Sequence, residues 1–325
     1  MTTFPLTAIA ISALTLLMVP GISSAQQLPV DVSTPLFAEA APAFQQTNVP
    51  PEVKQAEAAV ERTVKRFRIG VFGGVALDPE LIEFGARLGP LDLAPLAKTG
   101  QEKARAHPEI VVVSNVMENG QAIGVLRDAE VVWHSDNSYR EQPLSYSALY
   151  ALEVPESGGN TGFANMYLAL ETLDPALRQR IEGRTLKHDM TYNSAGDLRE
   201  GFQPVSDVRE APGPSHPIVR THPETGYDAL YLGRRPNAYI NGLSIEESEA
   251  LLNALWAHAT RPEHTWRHEW RPGDILVWDN RCVMHHRDPF DAGARRVMHR
   301  VQCAGDKPSK RADAKTGHLR GKRGG

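Results

Sequence analysis

Eight runs of three to seven residues, rich in β-branched and aromatic side chains, punctuate the chain at 110–113, 131–133, 146–151, 217–221, 229–232, 265–270, 275–278 and 296–302. Turn-forming residues lie between them, and no run is long enough to bury a helix face, so each reads as a strand. A ninth short strand is expected at 69–72. Many short strands and few long helices predict a mainly β fold with helical additions, a sheet sandwich or jelly roll.

Capping residues mark the helices. Asp78-Pro79 and Asp174-Pro175 each place an N-cap acid before a proline suited to the first helical position. Gly89-Pro90 stops the first of these, and Gly183 lies near the end of the second. Ser244 and Glu247 form a capping box that leads into Leu251, Leu252, Leu255 and Trp256. Val53, Ala56, Val60, Val64 and Phe67 recur at helical spacing and predict one more amphipathic helix.

Composition narrows the function. The 325 residues carry 35 Lys and Arg against 39 Asp and Glu, a net charge of −4, which argues against a nucleic-acid partner. Two cysteines, Cys282 and Cys303, exclude a disulfide scaffold and a zinc finger, and both read as packing residues. Leu6 to Val19 is apolar but shorter than the ~20 residues of a membrane span, so no membrane partner is expected. It resembles a signal-peptide core, with Ser23-Ser24-Ala25 as a cleavage site, yet no Lys or Arg precedes Lys54. The chain therefore divides into a signal-like or misassigned segment at 1–27, a divergent N-terminal segment at 28–67, one domain at 68–306 and a basic, solvated tail at 307–325. A homo-oligomer is left open.

The chemistry gathers in two places. On a strand, His134 and Asp136 of Trp133-His134-Ser135-Asp136 share a face and can chelate one ion. A second His-x-Asp, His286-Arg287-Asp288, shows that the pair alone is a weak signal. Near it, His285 and His286 are strand neighbours that face opposite sides, so one of them at most can join His134 and Asp136. Two histidines and one carboxylate leave three positions of an octahedral Fe(II) open. Arg296 and Arg300 would share a strand face and could bind two anions, whereas Arg295 is expected in a surface ion pair. These residues alone leave three readings: an iron oxygenase, a metal-dependent hydrolase and a non-catalytic jelly-roll binding protein.

The joint spacing carries a resemblance. Twenty-four residues separate Asp136 from Thr161 and ten separate His285 from Arg296. With the phrases WHSDNSY, PESGGNTGFANM, LKHD, VRTHPETG, WDNRCVMH and RRVMHR, the chain from about Asp78 to Asp306 resembles the Fe(II)- and 2-oxoglutarate-dependent dioxygenases of the taurine and 2,4-dichlorophenoxyacetate dioxygenase family. The resemblance implies a double-stranded β-helix (jelly-roll) core and an oxidoreductase that hydroxylates its substrate while 2-oxoglutarate and O2 yield succinate and CO2. It implies His134, Asp136 and His285 as iron ligands, His285 rather than His286 because it completes the spacing to Arg296. Thr161 and Arg296 would bind the far carboxylate of 2-oxoglutarate, and Arg300 the anionic group of the substrate. The stretch 88–95 lacks the substrate-binding His of taurine enzymes, which favours an aryloxyalkanoate, a sulfate ester or another sulfonate. Because 2-oxoglutarate and reduced iron are cytosolic reagents, a cytoplasmic enzyme is expected, with export as the alternative if 1–25 acts as a signal. Tyr139 and Tyr192 are candidates for the pocket wall or for plain core packing.

Overall fold

Strand alternation organises the molecule. The computed structural model describes residues 69–73, 78–93, 107–124, 131–193 and 196–312. The predicted helix around 53–67 and the segments 1–27 and 28–67 lie outside them. Ten strands build the two main sheets: β1 (Ile69–Gly73), β2 (Leu91–Asp92), β3 (Val111–Ser114), β4 (Val131–His134), β5 (Leu144–Glu153), β6 (Thr161–Asn165), β7 (Thr265–His268), β8 (Asp274–Asp279), β9 (Val283–Arg287) and β10 (Val297–Ala304). The larger sheet runs β1-β8-β5-β10-β2, with β3 also paired to β10, and the smaller runs β7-β6-β9-β4. Every pairing in them is antiparallel. The chain has the jelly-roll architecture that its strand pattern and its resemblance predict.

The larger sheet is buried on both faces, and its residues sort by parity. Leu149, Ala151, Leu276, Trp278 and Met298 point toward the smaller sheet, where Phe163 and Val283 face them. Ala148, Tyr150, Ile275, Val277 and Val301 point the other way and are covered by Leu81 and Phe84 of helix α1 (Asp78–Ala86). A two-residue period puts successive side chains on opposite faces, so these strands read as continuous apolar runs.

Three more helices close one flank. α2 (Met166–Glu171) follows β6 at once, its first turn capped by the Asn165 Oδ1, which accepts from Leu168 N at 3.0 Å. α3 (Pro175–Ile181) starts where Asp174-Pro175 predicts, with the Asp174 carboxylate accepting from Ala176 N and Leu177 N. α4 (Ile245–Ala259) carries the complete Ser244–Glu247 capping box and buries Leu251, Leu252, Leu255 and Trp256. Free cysteines Cys282 and Cys303 are both buried, and Arg295 pairs with Glu153 at 2.7 Å, each as expected.

Three expectations need correction. The run at 217–221 is two strands, Ser215–Pro217 and Val219–Thr221, because Pro217 has no N–H and the amide of Ile218 turns to Arg184 O. Strands β6 and β9 fall outside the eight predicted runs, since Thr161, Gly162 and Asn165 in the one and His285, His286 and Arg287 in the other interrupt the apolar pattern. Gly162 shows why: a Cβ there would lie 2.2 Å from His286 Nε2, so the ring packs directly on the backbone of β6. Lastly, the tail expected to be solvated from 307 is exposed apart from Pro308, but it is tied down as far as Arg311. Thr221 N donates to Ser309 O at 2.8 Å, Arg311 N to Thr221 Oγ1 at 2.9 Å, and Lys310 pairs with Asp228. Residues 313–325 lie outside the described residues.

Candidate active site

His134 and His285 are direct cross-strand partners on β4 and β9, with ring centroids 4.2 Å apart. Asp136 does not lie on the strand, as its spacing from His134 suggested. β4 ends at His134, and Asp136 opens a turn whose next residue, Asn137, has φ 50°. The turn nonetheless brings Asp136 Oδ1 to 3.6 Å from His134 Nε2 and 3.9 Å from His285 Nε2. An ion bonded at about 2.1 Å can bridge donors up to about 4.2 Å apart, so both separations fit one common centre. All three side chains are buried.

The donor atoms are prepared for a cation. His134 Nδ1–H donates to Val132 O at 2.8 Å, which leaves Nε2 as the lone-pair nitrogen facing Asp136. Burial first, and then the neighbouring His134, holds the His285 imidazole well below its ordinary range, so the ring is neutral. Burial pushes the Asp136 carboxyl upward, but the Arg300 guanidinium, with the imidazoles beside it, outweighs this and keeps it well below the usual carboxylate range. The larger sheet fixes that carboxylate. Asp136 Oδ2 accepts from Ser147 Oγ at 2.8 Å and from Gln302 Nε2 at 3.1 Å, and Oδ1 accepts from Arg300 Nη1 at 3.3 Å. Asn280 ties the net together, accepting from Trp278 Nε1 at 2.9 Å and donating to Ser147 Oγ at 2.9 Å.

A second polar group lies along the same inner face. Arg296 is fully buried at 1% exposure, and its Nε and Nη1 have no hydrogen-bond partner among the described residues. Burial, and then the charge of Arg287, pushes its guanidinium down to about 9. A buried cation in this state calls for an anion. Gly159 makes room for it: φ is +63° and a Cβ would come within 3.3 Å of Arg296 Nε. Two residues on, the buried Thr161 accepts at Oγ1 from Trp270 Nε1 at 2.9 Å, which leaves its own proton to donate outward. Arg296, Met298, Arg300 and Gln302 alternate along one face, as strand spacing predicts. Arg300, expected at the substrate, is bonded to Asp136 here. His286 lies on the other face of β9 against Trp133, with ring centroids 4.1 Å apart, and does not join the triad.

The profile of the "taurine catabolism dioxygenase TauD, TfdA family" matches residues 33–302. The chain belongs to this family. The match reaches further toward the N-terminus than the motifs from Asp78 onward. Among its relatives, pentalenolactone F synthase of Streptomyces arenae is 35% identical over 244 residues, 71% of this chain and 79% of that protein. The alpha-ketoglutarate-dependent 2,4-dichlorophenoxyacetate dioxygenase of Cupriavidus pinatubonensis is 34% identical over 257 residues, 76% of this chain and 88% of that one. The crystal structure of a taurine dioxygenase from Burkholderia xenovorans is similar at a TM-score of 0.58 and 32% identity, covering 83% of this chain and 87% of that chain. The protein is accordingly a 2-oxoglutarate-dependent dioxygenase, an oxidoreductase that uses Fe(II) and acts on a small molecule. No helix among the described residues is long and apolar enough to cross a membrane.

A second buried trio in this dioxygenase, His222, Asp279 and Cys282, has donor atoms as close together as the first. Its hydrogen bonds give it a different character. His222 Nδ1 accepts from Glu224 N and Thr225 N at 3.2 Å each, so its proton is on Nε2, which donates to Asp279 Oδ2 at 2.9 Å. Asp279 also accepts from Arg281 N, Nε and Nη2. The VRTHPETG and WDNRCVMH phrases are thus stapled to each other. Of the residues around the candidate site, Ser147, Gln302, Asn280 and Trp270 are not foreseen from sequence. Gln302 has a usable signal, the even-numbered period it shares with Arg296 and Arg300, whereas Ser147 and Trp270 have none.

Proposed function

We propose that this dioxygenase holds Fe(II) with His134, Asp136 and His285, binds the distal carboxylate of 2-oxoglutarate with Arg296 and Thr161, and hydroxylates a small anionic organic substrate. The observation that carries the assignment is the approach of three buried donors to one centre. When bound, iron with 2-oxoglutarate and oxygen supplies the oxidising chemistry, yielding succinate and CO2 as one oxygen atom enters a C–H bond of the substrate.

The chain's own contribution is position. Arg296 offers a charge-assisted fork that matches a planar carboxylate, and Thr161 adds a hydroxyl donor whose orientation Trp270 fixes. Ser147 and Gln302 hold Asp136 so that Oδ1 faces the histidines. Burial excludes water from the donors and strengthens each of these contacts. Sulfonates, sulfate esters and aryloxyalkanoates are the substrate classes we favour, with Arg300 on the triad's flank as one cation available to them. A 2,4-dichlorophenoxyacetate dioxygenase and a taurine dioxygenase among the similar proteins support that range. A substrate carbon bearing oxygen or sulfur collapses to a carbonyl once hydroxylated and releases a phenol, sulfate or sulfite. We assign the cytoplasm as its compartment, which sequencing the N-terminus of the mature protein tests.

Succinate release read across a panel of these anions tests the proposal. Succinate is expected only with iron, 2-oxoglutarate and oxygen together, and Asp136→Ala is expected to abolish it. Arg296→Ala should chiefly raise the KM for 2-oxoglutarate, by tenfold or more for a lost charge-assisted fork. An unchanged KM in that variant overturns the co-substrate assignment. A hydrolase reading of the triad leaves the buried Arg296 cation without a purpose.

A further inference from the structure

A further buried cation stands on the inner face of the smaller sheet. Arg287 is the last residue of β9, two places beyond His285, so both side chains leave the strand on the same side. Its direct partner across the antiparallel pair with β6 is Thr161. Such partners share a face with their Cβ atoms about 4.5–5.5 Å apart, which sets Arg287 beside Thr161. Only 6% of Arg287 is exposed. Arg267 and Arg295, by contrast, have side chains more than half exposed and hold Asp288 and Glu153 in surface ion pairs.

The loop after β9 builds the rest of this corner. The Arg287 guanidinium lies over the ring of Phe290, 4.9 Å from its centre. Phe290 forms a β-bridge with Gly158, and Gly159 N donates to Pro289 O at 3.2 Å. Gly159 is also the residue whose missing Cβ makes room for the Arg296 side chain. One short turn is thus fastened to the loop beneath Arg287 and lies against Arg296. The two guanidiniums reach the corner from different sheets, Arg287 from β9 and Arg296 from the residue before β10. They are close enough that the charge of Arg287 acts against that of Arg296. Two like charges held together away from water are costly, and an anion placed between them offsets that cost.

We propose that Arg287 is a second cation of the co-substrate subsite, so that two guanidiniums and the Thr161 hydroxyl receive the distal carboxylate and select 2-oxo diacids over 2-oxo monoacids. The inference rests on the function proposed above and deepens its co-substrate assignment. Each guanidinium adds charge-assisted bonds to the same carboxylate. A methyl group in that place leaves both cations buried and unmatched, so the monoacid is rejected as well as the diacid being attracted.

Calorimetry on the Mn(II)-loaded protein tests this without turnover, using 2-oxoglutarate and 2-oxopentanoate, the monoacid of the same chain length. The wild type is expected to bind the diacid more tightly by about a hundredfold or more. Arg287→Gln should weaken 2-oxoglutarate by about tenfold or more without weakening 2-oxopentanoate, so the preference shrinks by at least that factor. Arg287→Lys keeps the charge without the fork and should restore part of it. Affinity for Mn(II) should be unaltered in both variants. If Arg287→Gln does not fold, Arg287→Lys carries the test, with a loss of about threefold or more for the diacid alone. An unchanged affinity for 2-oxoglutarate overturns the second cation, and so does an equal loss for both keto acids, which is what a purely structural arginine would give. Arg296→Gln separates this failure from that of the reading beneath it. A loss there with none in Arg287→Gln removes Arg287 alone, whereas no loss in either variant removes the co-substrate assignment as well.

Discussion

The two buried His–Asp trios have nearly the same ingredients and opposite characters. In one, His134, Asp136 and His285 turn donor atoms toward an open centre, and of those atoms only Asp136 Oδ1 takes a hydrogen bond, a long one of 3.3 Å from Arg300 Nη1. In the other, both nitrogens of His222 and both oxygens of Asp279 are engaged by backbone amides and by Arg281. Proximity and burial therefore do not distinguish a ligand set from a structural clamp. What distinguishes them is whether any lone pair is left once the local hydrogen bonds are counted.

The contrast can be broken most sharply by removing one histidine from each trio. His285→Ala should weaken Mn(II), used as the probe in metal titration, by more than about a hundredfold, beyond the 10–100-fold expected for losing an outer partner. His222→Ala should still bind one ion per folded chain, and equal losses in the two variants would erase the distinction. Next in size is the clamp itself. Asp279→Ala strips the buried Arg281 of its buried carboxylate, leaves it only the part-exposed Glu224 at 2.7 Å, and should lower the unfolding free energy by about 3 kcal/mol in denaturant titration. A smaller effect is expected at the net behind the ligand: Gln302→Leu should weaken the metal by about 10–100-fold, with little change in unfolding.

The smallest is a pH dependence. Burial raises the Asp279 carboxyl, yet Arg281 and His222 more than reverse this and hold it well below its usual range. Its folded pKa is thus below the unfolded value of about 3.9. The stability it contributes is complete above that value and declines as pH falls further, toward the folded pKa. Unfolding free energy should therefore drop below about pH 4, and Asp279→Asn should flatten the drop.

How much of this was legible follows from how local each signal is. The Ser244 capping box and the Asp174-Pro175 start are read within four residues, and the structure has both. The trio His134, Asp136 and His285 was legible only through joint spacing, because the contact between β4 and β9 spans about half the chain. Strand reading misplaced Asp136, since a turn with the left-handed Asn137 can bring it beside His134 as well as a strand can. β6 and β9 escaped the hydrophobic pattern because one face is given to polar site groups and the other to a His ring on a glycine. Ser147 on Asp136 and Trp270 on Thr161 left no trace, as a hydrogen bond across 11 or 109 residues has no sequence period.

Asp136 is held from the larger sheet while both histidines stand on the smaller one. The three-donor set consequently comes into being only after the two halves of the sandwich have closed on each other. A chain still threading its way to the native state, or one that has lost its interior packing, keeps its histidines but not the oriented carboxylate. It would let go of a redox-active metal rather than carry it loose against exposed backbone, so metal occupancy doubles as a proof of completed assembly.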